Sequence, residues 1–513
     1  MRFKERAMKK FKMLLVIVTA ILCITSCKRS DADIIFKAQK NSNEKLISEW
    51  KNFADDFFMY KSTQNSGSAG YDFTITDFQS PKNEPLPEFM RLIITNKIGL
   101  KADFVDDTNK KEFRYSYKLK NILKGKPETD AVLFKISNTN IEAASPLLLQ
   151  KTFTIKPSDV GKALALMVPQ NFAALFNFSL SYDQLKKLQT LRLDKNTKKR
   201  LDKVTRTLYK KSNIQKNGDQ YTIEMDAENL RQAQKDFFDI LKNDSRVNAL
   251  IELYKKILPE EEFSKLENQI KEALEKPVRG KAISELVIKN GLVEKTDYRY
   301  EYDNNQVIKV SAEIDYSNPL THCICTVSYP TEVKEIASLS RLTLSFGLKG
   351  TYEKGKADIT LFTNIVNQDG AEKLTMNVNF VADTSKSTDN FRTDISIVEA
   401  PDFGKSNTVD PIHVKEFFTN VTLSAVGNVQ KTHNAITYKV DNVLMNFQHE
   451  DKPAETMRIG TDATIYVNKE TPILFELPEE KLNVLSVKKE EWTALQNEIQ
   501  QNLMLLQPQL NLQ

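Results

Sequence analysis

The chain has 513 residues, 40% of them apolar and 27% charged, the composition of an ordinary globular protein long enough for two or three domains. Its formal charge of +5 is local: six of the 73 basic residues and one of the 68 acidic residues fall in residues 1–26, so the remainder carries 67 of each and is neutral. That balance argues against a nucleic-acid-binding surface, and no nucleic acid is expected among the partners.

Chain order begins with a cationic lead and the twelve-residue apolar run Met13–Ile24, broken only by Thr19. Crossing a bilayer takes about 20 apolar residues, so this run fits a secretory signal better than a membrane anchor. Met8 would serve equally well as a start, because the sequence from Met8 to Cys27 is by itself a basic and apolar signal. The end of the run, Ile24, Thr25, Ser26 and Cys27, resembles the lipobox of bacterial lipoprotein precursors: two aliphatic or small residues and a small residue before a cysteine. Cys23 is the poorer candidate, since Leu22 would occupy the slot that wants a small side chain. The resemblance implies that residues 1–26 are removed and that Cys27 receives diacylglycerol on sulfur and becomes the mature amino terminus. Two acyl chains, at about 0.8 kcal/mol per buried methylene, hold a protein stably to a bilayer where one does not. An extracytoplasmic location, on a bacterial cell membrane or outer membrane, follows as the expectation.

Residues 27–43 are mostly polar and are expected to form a tether. From residue 44 to 180 an α+β region is predicted. Its first helix carries Leu46, Trp50, Phe53 and Phe57 at spacings of four, three and four, a stripe suited to packing on a sheet or to lying on a membrane surface. Period-two alternation then takes over in Tyr71, Phe73 and Ile75, and again in Phe113, Tyr115, Tyr117 and Leu119.

Between residues 181 and 277 the period lengthens to about three and a half. Ser181 and Gln184 form a capping box, a second helix starts near Asp226 with Leu230, Ala233, Phe237 and Leu241, and further helices are expected from Val247 and from Pro259. Within this segment residues 186–216 hold twelve Lys or Arg against Asp194 and Asp202, a net charge of +10. The simplest expectation is a solvated face balanced by acidic stretches such as that at Glu260, Glu261 and Glu262; anionic lipid, anionic wall polymers or an acidic partner are the alternatives.

Residues 278–487 return to β structure. Rows occur at Tyr298, Tyr300 and Tyr302, at Leu342, Leu344 and Phe346, and at Leu374, Met376, Val378 and Phe380, with Asp369 and Gly370 marking a hairpin before the last of these. Two later strands are expected around Ala435–Phe447 and Met457–Val467. A terminal helix in residues 488–513 aligns Trp492, Leu495, Ile499, Leu503 and Leu506. No repeat of fixed period supports a propeller or solenoid.

Chemistry-bearing motifs are sparse. Cys323 and Cys325, two apart on a predicted strand, share a face on which a soft metal such as copper(I) could be met, with His322 pointing away. Two small buried residues are the plainer reading, a disulfide between them would be strained, and no metal or cofactor is assigned. The four histidines, His322, His413, His433 and His449, are too scattered for a local ligand set. No nucleophile elbow, H-E-x-x-H helix, phosphate loop or calcium loop occurs, and Ser486 with Lys489 matches S-x-x-K without companion motifs.

The expected body is therefore α+β, an extensive antiparallel sheet with a central helical segment and a C-terminal helix. Sheet of this kind under helices is loosely similar to the half-barrel lipoprotein carriers and lipid-binding lipoproteins of the bacterial envelope. That likeness implies a curved sheet whose apolar rows receive an acyl chain or apolar peptide. The function expected is a lipid-anchored, non-catalytic module for a hydrophobic ligand or an envelope protein. An envelope hydrolase with a dispersed site, or a purely structural surface lipoprotein, are the alternatives.

Overall fold

A computed structural model describes residues 31–59, 66–80, 85–160, 180–189, 193–245, 280–301, 307–315, 320, 322–328, 342–367, 372–399, 420–448, 455–468 and 475–510, with scattered residues at 162–163 and between 247 and 272. The fold is α+β, as the periodicities predict.

Helix α1 spans Asp31–Phe58 and leads into strands β1 (Gly67–Gln79), helix α2 (Glu88–Thr95), and β2 (Gly99–Asp107), β3 (Glu112–Leu123), β4 (Lys126–Ile136), β5 (Ile141–Ser145) and β6 (Leu149–Ile155). Helices α3 (Tyr182–Gln189) and α4 (Lys195–Lys210) follow, then β7 (Asn213–Asn217), β8 (Gln220–Asp226) and helix α5 (Ala227–Lys242). A second run of strands comprises β9 (Lys281–Lys289), β10 (Leu292–Glu301), β11 (Val307–Ile314), β12 (His322–Ser328), β13 (Leu342–Glu353), β14 (Lys356–Asn367), β15 (Glu372–Asp383), β16 (Phe391–Glu399), β17 (Asn420–Lys431), β18 (Ala435–Gln448) and β19 (Glu455–Asn468). The short β20 (Lys481–Asn483) and helix α6 (Lys489–Leu506) end the described chain.

All 20 strands belong to one sheet. From β7 to β19 each strand pairs antiparallel with the next, and from β1 to β6 likewise; β19 then pairs with β1 and joins the two meanders. The parallel pair β20 with β6 finishes the series, and among the described residues no pairing closes the sheet. Register shifts at Thr76 of β1 and at Asp441 of β18 flank β19, where an extra residue bends the strand and increases its twist.

Helix α1 organises the helix-bearing face. Its 28 residues measure about 42 Å, against about 38 Å for the eight strand spacings from β10 to β18. The helix runs across the strands as a strap. At its start, Ala32, Ile35 and Ala38 enter a core with Tyr209 of α4, Leu230 of α5, and Ile223, Leu286 and Tyr298 of the sheet. At its end, Phe53 and Phe57 enter a second core with Leu348, Tyr352, Ile359, Phe391 and Tyr438.

Two expectations change here. The polar stretch taken as a tether is helical from Asp31, because its core positions are filled by Ile35 and Phe36 together with the polar Gln39 and Ser42, all buried. Ser42 is placed by hydrogen bonds: its Oγ accepts from the Val293 N–H at 2.9 Å and donates to the Ala38 carbonyl at 2.8 Å. The segment 181–277 also holds the β7–β8 hairpin, which extends the sheet at β9. Gly218, in the left-handed region at φ 59°, and Asp219 make the turn, and Tyr221, Ile223 and Met225 alternate into the core after it.

The predicted capping box forms, with Gln184 Oε1 accepting from the Ser181 N–H at 2.8 Å; the helix expected near Asp226 starts there, where Asp226 Oδ1 accepts from the Asn229 N–H at 2.8 Å. The helices expected from Val247 and Pro259 lie largely outside the described residues. Strand rows in β1, β3, β13, β15, β18 and β19 form where the alternation placed them; Tyr302, Asp369 and Gly370 lie outside the described residues. Helix α6 packs only partly: Leu495 is buried and Trp492 stacks on Phe153 at 5.9 Å, while Leu503 is exposed.

Candidate functional site

The site is the half of the helix-bearing face that the strap leaves open. Directly paired residues of an antiparallel sheet point to one side, so register alone aligns a row from Leu348 through Leu361, Val378, Ile395, Leu423 and Met445 to Met457. A parallel row runs from Cys325 through Phe346, Thr363, Met376, Ile397 and Val421 to Phe447. Each row crosses seven strands, about 29 Å of surface.

Burial changes abruptly along single strands of this face. On β14, Ala357 and Ile359 are each 5% exposed and Leu361, the next residue on that side, is 50% exposed. On β13 the step falls between Leu348 at 7% and Phe346 at 41%. Strand β16 passes from a buried Phe391 to half-exposed Ile395 and Ile397. The covered ends lie at the β13–β14, β15–β16 and β17–β18 turns, where the end of α1 docks; the exposed ends point the other way.

Polar bonds fix where the strap stops. Asp56, in the last turn of α1, takes the Tyr352 hydroxyl at 2.9 Å, the Gly355 N–H at 3.1 Å and the Lys431 ammonium at 3.0 Å. Burial would raise this carboxyl, but Lys431, Tyr352 and the Gly355 amide outweigh it and hold it below the usual carboxylate range. Gly355, at φ 77°, gives the β13–β14 turn the left-handed conformation that turns its amide to the carboxylate. The Tyr438 hydroxyl donates to the Phe57 carbonyl at 2.6 Å, and Lys431 also takes the Asp55 carbonyl at 3.2 Å. These donors satisfy carbonyls left free at a helix end.

Cys323 and Cys325 stand on the same face, beside Leu348 and Phe346, and His322 faces the opposite side with its Nε2 3.5 Å from Glu313. Both thiols are free and half-buried. Burial pushes both up, Cys325 to about 11 with a contribution from the neighbouring sulfur, so at neutral pH they are protonated and weakly nucleophilic. They border the open rows as small apolar groups. Among the described residues no cluster of three or more His, Cys, Asp or Glu could hold a metal ion. His433 lies in the β17–β18 turn; His413 and His449, like Ile24, Thr25, Ser26 and Cys27, lie outside the described residues. Among the described residues no helix is long and apolar enough to cross a membrane.

Sequence alternation marks the rows at Phe346, Met376 and Val378, while Leu361, Ile395 and Ile397 of the same patch were not singled out. Their signal is the same period of two in "ITLFTNIV" and "FRTDISIV". Models of known protein families give no match to the chain, and curated proteins give none.

Proposed function

We propose that this protein is a lipid-anchored extracytoplasmic bacterial lipoprotein, attached through Cys27, whose open sheet face binds an apolar ligand of the acyl-chain class without catalysing a reaction on it. The observation that carries the binding half is the step in burial along β13 and β14, from a core residue to an apolar residue 41% and 50% exposed one pleat further, with Ile395 and Ile397 of β16 exposed beside them. An ordinary outer sheet face carries polar residues at such positions; here the apolar rows continue across seven strands. Contiguous exposed apolar surface of that extent marks an interaction site rather than a solvated surface. A width of about 29 Å lays out a long acyl chain in extended form.

The anchoring half is supported by the lipobox-like residues Ile24, Thr25, Ser26 and Cys27 after a short apolar run. Mass spectrometry of the mature protein isolated from its membrane tests that half: the expected amino terminus is a diacylglyceryl-modified Cys27, and an unmodified terminus or retained residues 1–26 overturns it. Native mass spectrometry of the same preparation tests the other half. Co-purifying lipid, lost when Leu361 and Ile395 are changed to glutamine, is the expected result, and a chain that neither carries nor takes up fatty acid overturns the binding reading.

A further inference from the structure

Helix α4 is the one strongly basic element among the described helices: Lys195–Lys210 holds seven Lys or Arg against Asp202 alone. Its buried side is made by Thr197, Leu201, Thr205 and Leu208. Lys199, Lys203, Arg206 and Lys210 recur at spacings of four, three and four on the side turned directly away, and all four are exposed. The helix thus carries a cationic ridge along its exposed side, of which Arg206 also reaches α1. Residues 186–216 carry a net +10 while the chain from residue 27 on is neutral, so the rest of that chain carries −10. Along the chain, positive charge is concentrated in this stretch, and α4 carries most of it.

The second observation is where this ridge lies. The start of α1 is held against it: Phe36, buried, receives the Arg206 guanidinium over its ring at 4.5 Å, and Asp31, the first residue of α1, pairs with Lys216 at 3.6 Å. Cys27 is four residues before Asp31, a reach of at most about 14 Å however the chain runs. The opposite end of α1, with Asp56 and Lys431, is about 42 Å away.

We propose that the α4 ridge docks on the anionic phospholipid surface to which Cys27 is anchored, and so fixes the orientation of the body on the membrane. The inference rests on the anchor reading for its choice of partner, since a short link from an acylated cysteine leaves this end of the molecule within reach of head groups. A surface bearing anionic lipid attracts juxtamembrane Lys and Arg, so the exposed ridge of α4 favours one orientation of the body. The strap then runs away from the membrane contact toward the half of the sheet that carries the open rows.

The test uses the mature chain with Cys27→Ser, which lacks the acyl group and therefore reads docking independently of anchoring. In co-sedimentation with vesicles, binding should be at least about tenfold stronger to phosphatidylcholine containing about one-third phosphatidylglycerol than to phosphatidylcholine alone. It should be lost on raising the salt from about 0.05 M to about 0.5 M. The variant Lys199→Glu, Lys203→Glu, Lys210→Glu should lose the preference. An equal charge change at Lys354, Lys356 and Lys386, exposed near the other end of α1, should retain it, with circular dichroism confirming that both variants are folded. Equal binding to both vesicles, or equal loss in the two variants, overturns the proposal. Retention by an anionic wall polymer without vesicle binding also overturns it. If Cys27 proves unmodified while the vesicle preference holds, the anchor reading fails and the docking surface stands.

Discussion

Among the described residues, two halves of one sheet face, built from the same strands, differ in whether α1 lies over them. At the covered half, Phe53 and Phe57 sit among Tyr352, Ile359, Phe391 and Tyr438, with ring pairs such as Phe57 and Phe380 at 5.3 Å. At the open half, Leu361, Met376, Ile395 and Ile397 continue the same rows with a third to a half of their surface exposed. The chemistry of the side chains is alike in both. What differs is the reach of α1, which Asp56 and Tyr438 stop over the turns. A hydrophobic row is core where α1 lands on it and, among the described residues, stays partly exposed where α1 does not reach.

The sharpest way to break this comparison is to truncate one residue in each half. Phe57→Ala should cost about 3–5 kcal/mol in urea unfolding, because the ring is wholly buried and its neighbours are held by strands that cannot collapse into the space. Leu361→Ala should cost less than about 1 kcal/mol, as for other partly solvated positions. Equal losses would mean that the open half is packed core.

The lock that ends the strap comes next in size. Asp56→Asn should destabilise by about 1–3 kcal/mol, since Lys431 and Tyr352 lose a charged acceptor. Folding holds the Asp56 carboxyl below its usual range, so its contribution is full at neutral pH and is lost as the pH falls through that lowered value. The stability gap between the native chain and the variant should therefore narrow on acidification; a gap that widens would contradict the assignment.

Function should respond in the opposite half. Leu361→Gln with Ile395→Gln should weaken binding of a fluorescent fatty acid about tenfold, near 1.4 kcal/mol, while leaving the unfolding midpoint almost unchanged. Among the variants expected to lose a stabilising contact, Ser42→Ala is the mildest: it removes one buried acceptor for the Val293 N–H and should cost about 1 kcal/mol, visible as faster hydrogen exchange at that amide.

Much of the architecture is legible in the sequence. Period-two rows in β3, β13 and β15, the Ser181 and Gln184 capping box and the helix start near Asp226 are local signals, and each element forms where its signal stands. Where polar residues occupy core positions the local signal fails: Gln39 and Ser42 disguise the first half of α1 as linker. In the helical segment, long-period stretches on either side outweigh Gly218 and Asp219, and the β7–β8 hairpin is hidden.

Residue order by itself therefore determined the strands with period-two rows, the Ser181 cap and which side of those strands is apolar, because those depend on neighbours one to four positions away. Only the tertiary structure decided that β19 pairs with β1, that Arg206 lies over Phe36, and that the strap stops at Asp56. These are contacts across hundreds of residues, set by where a helix of fixed length lands on a sheet of fixed spacing. That geometry, rather than the hydropathy of any residue, divides core from open face.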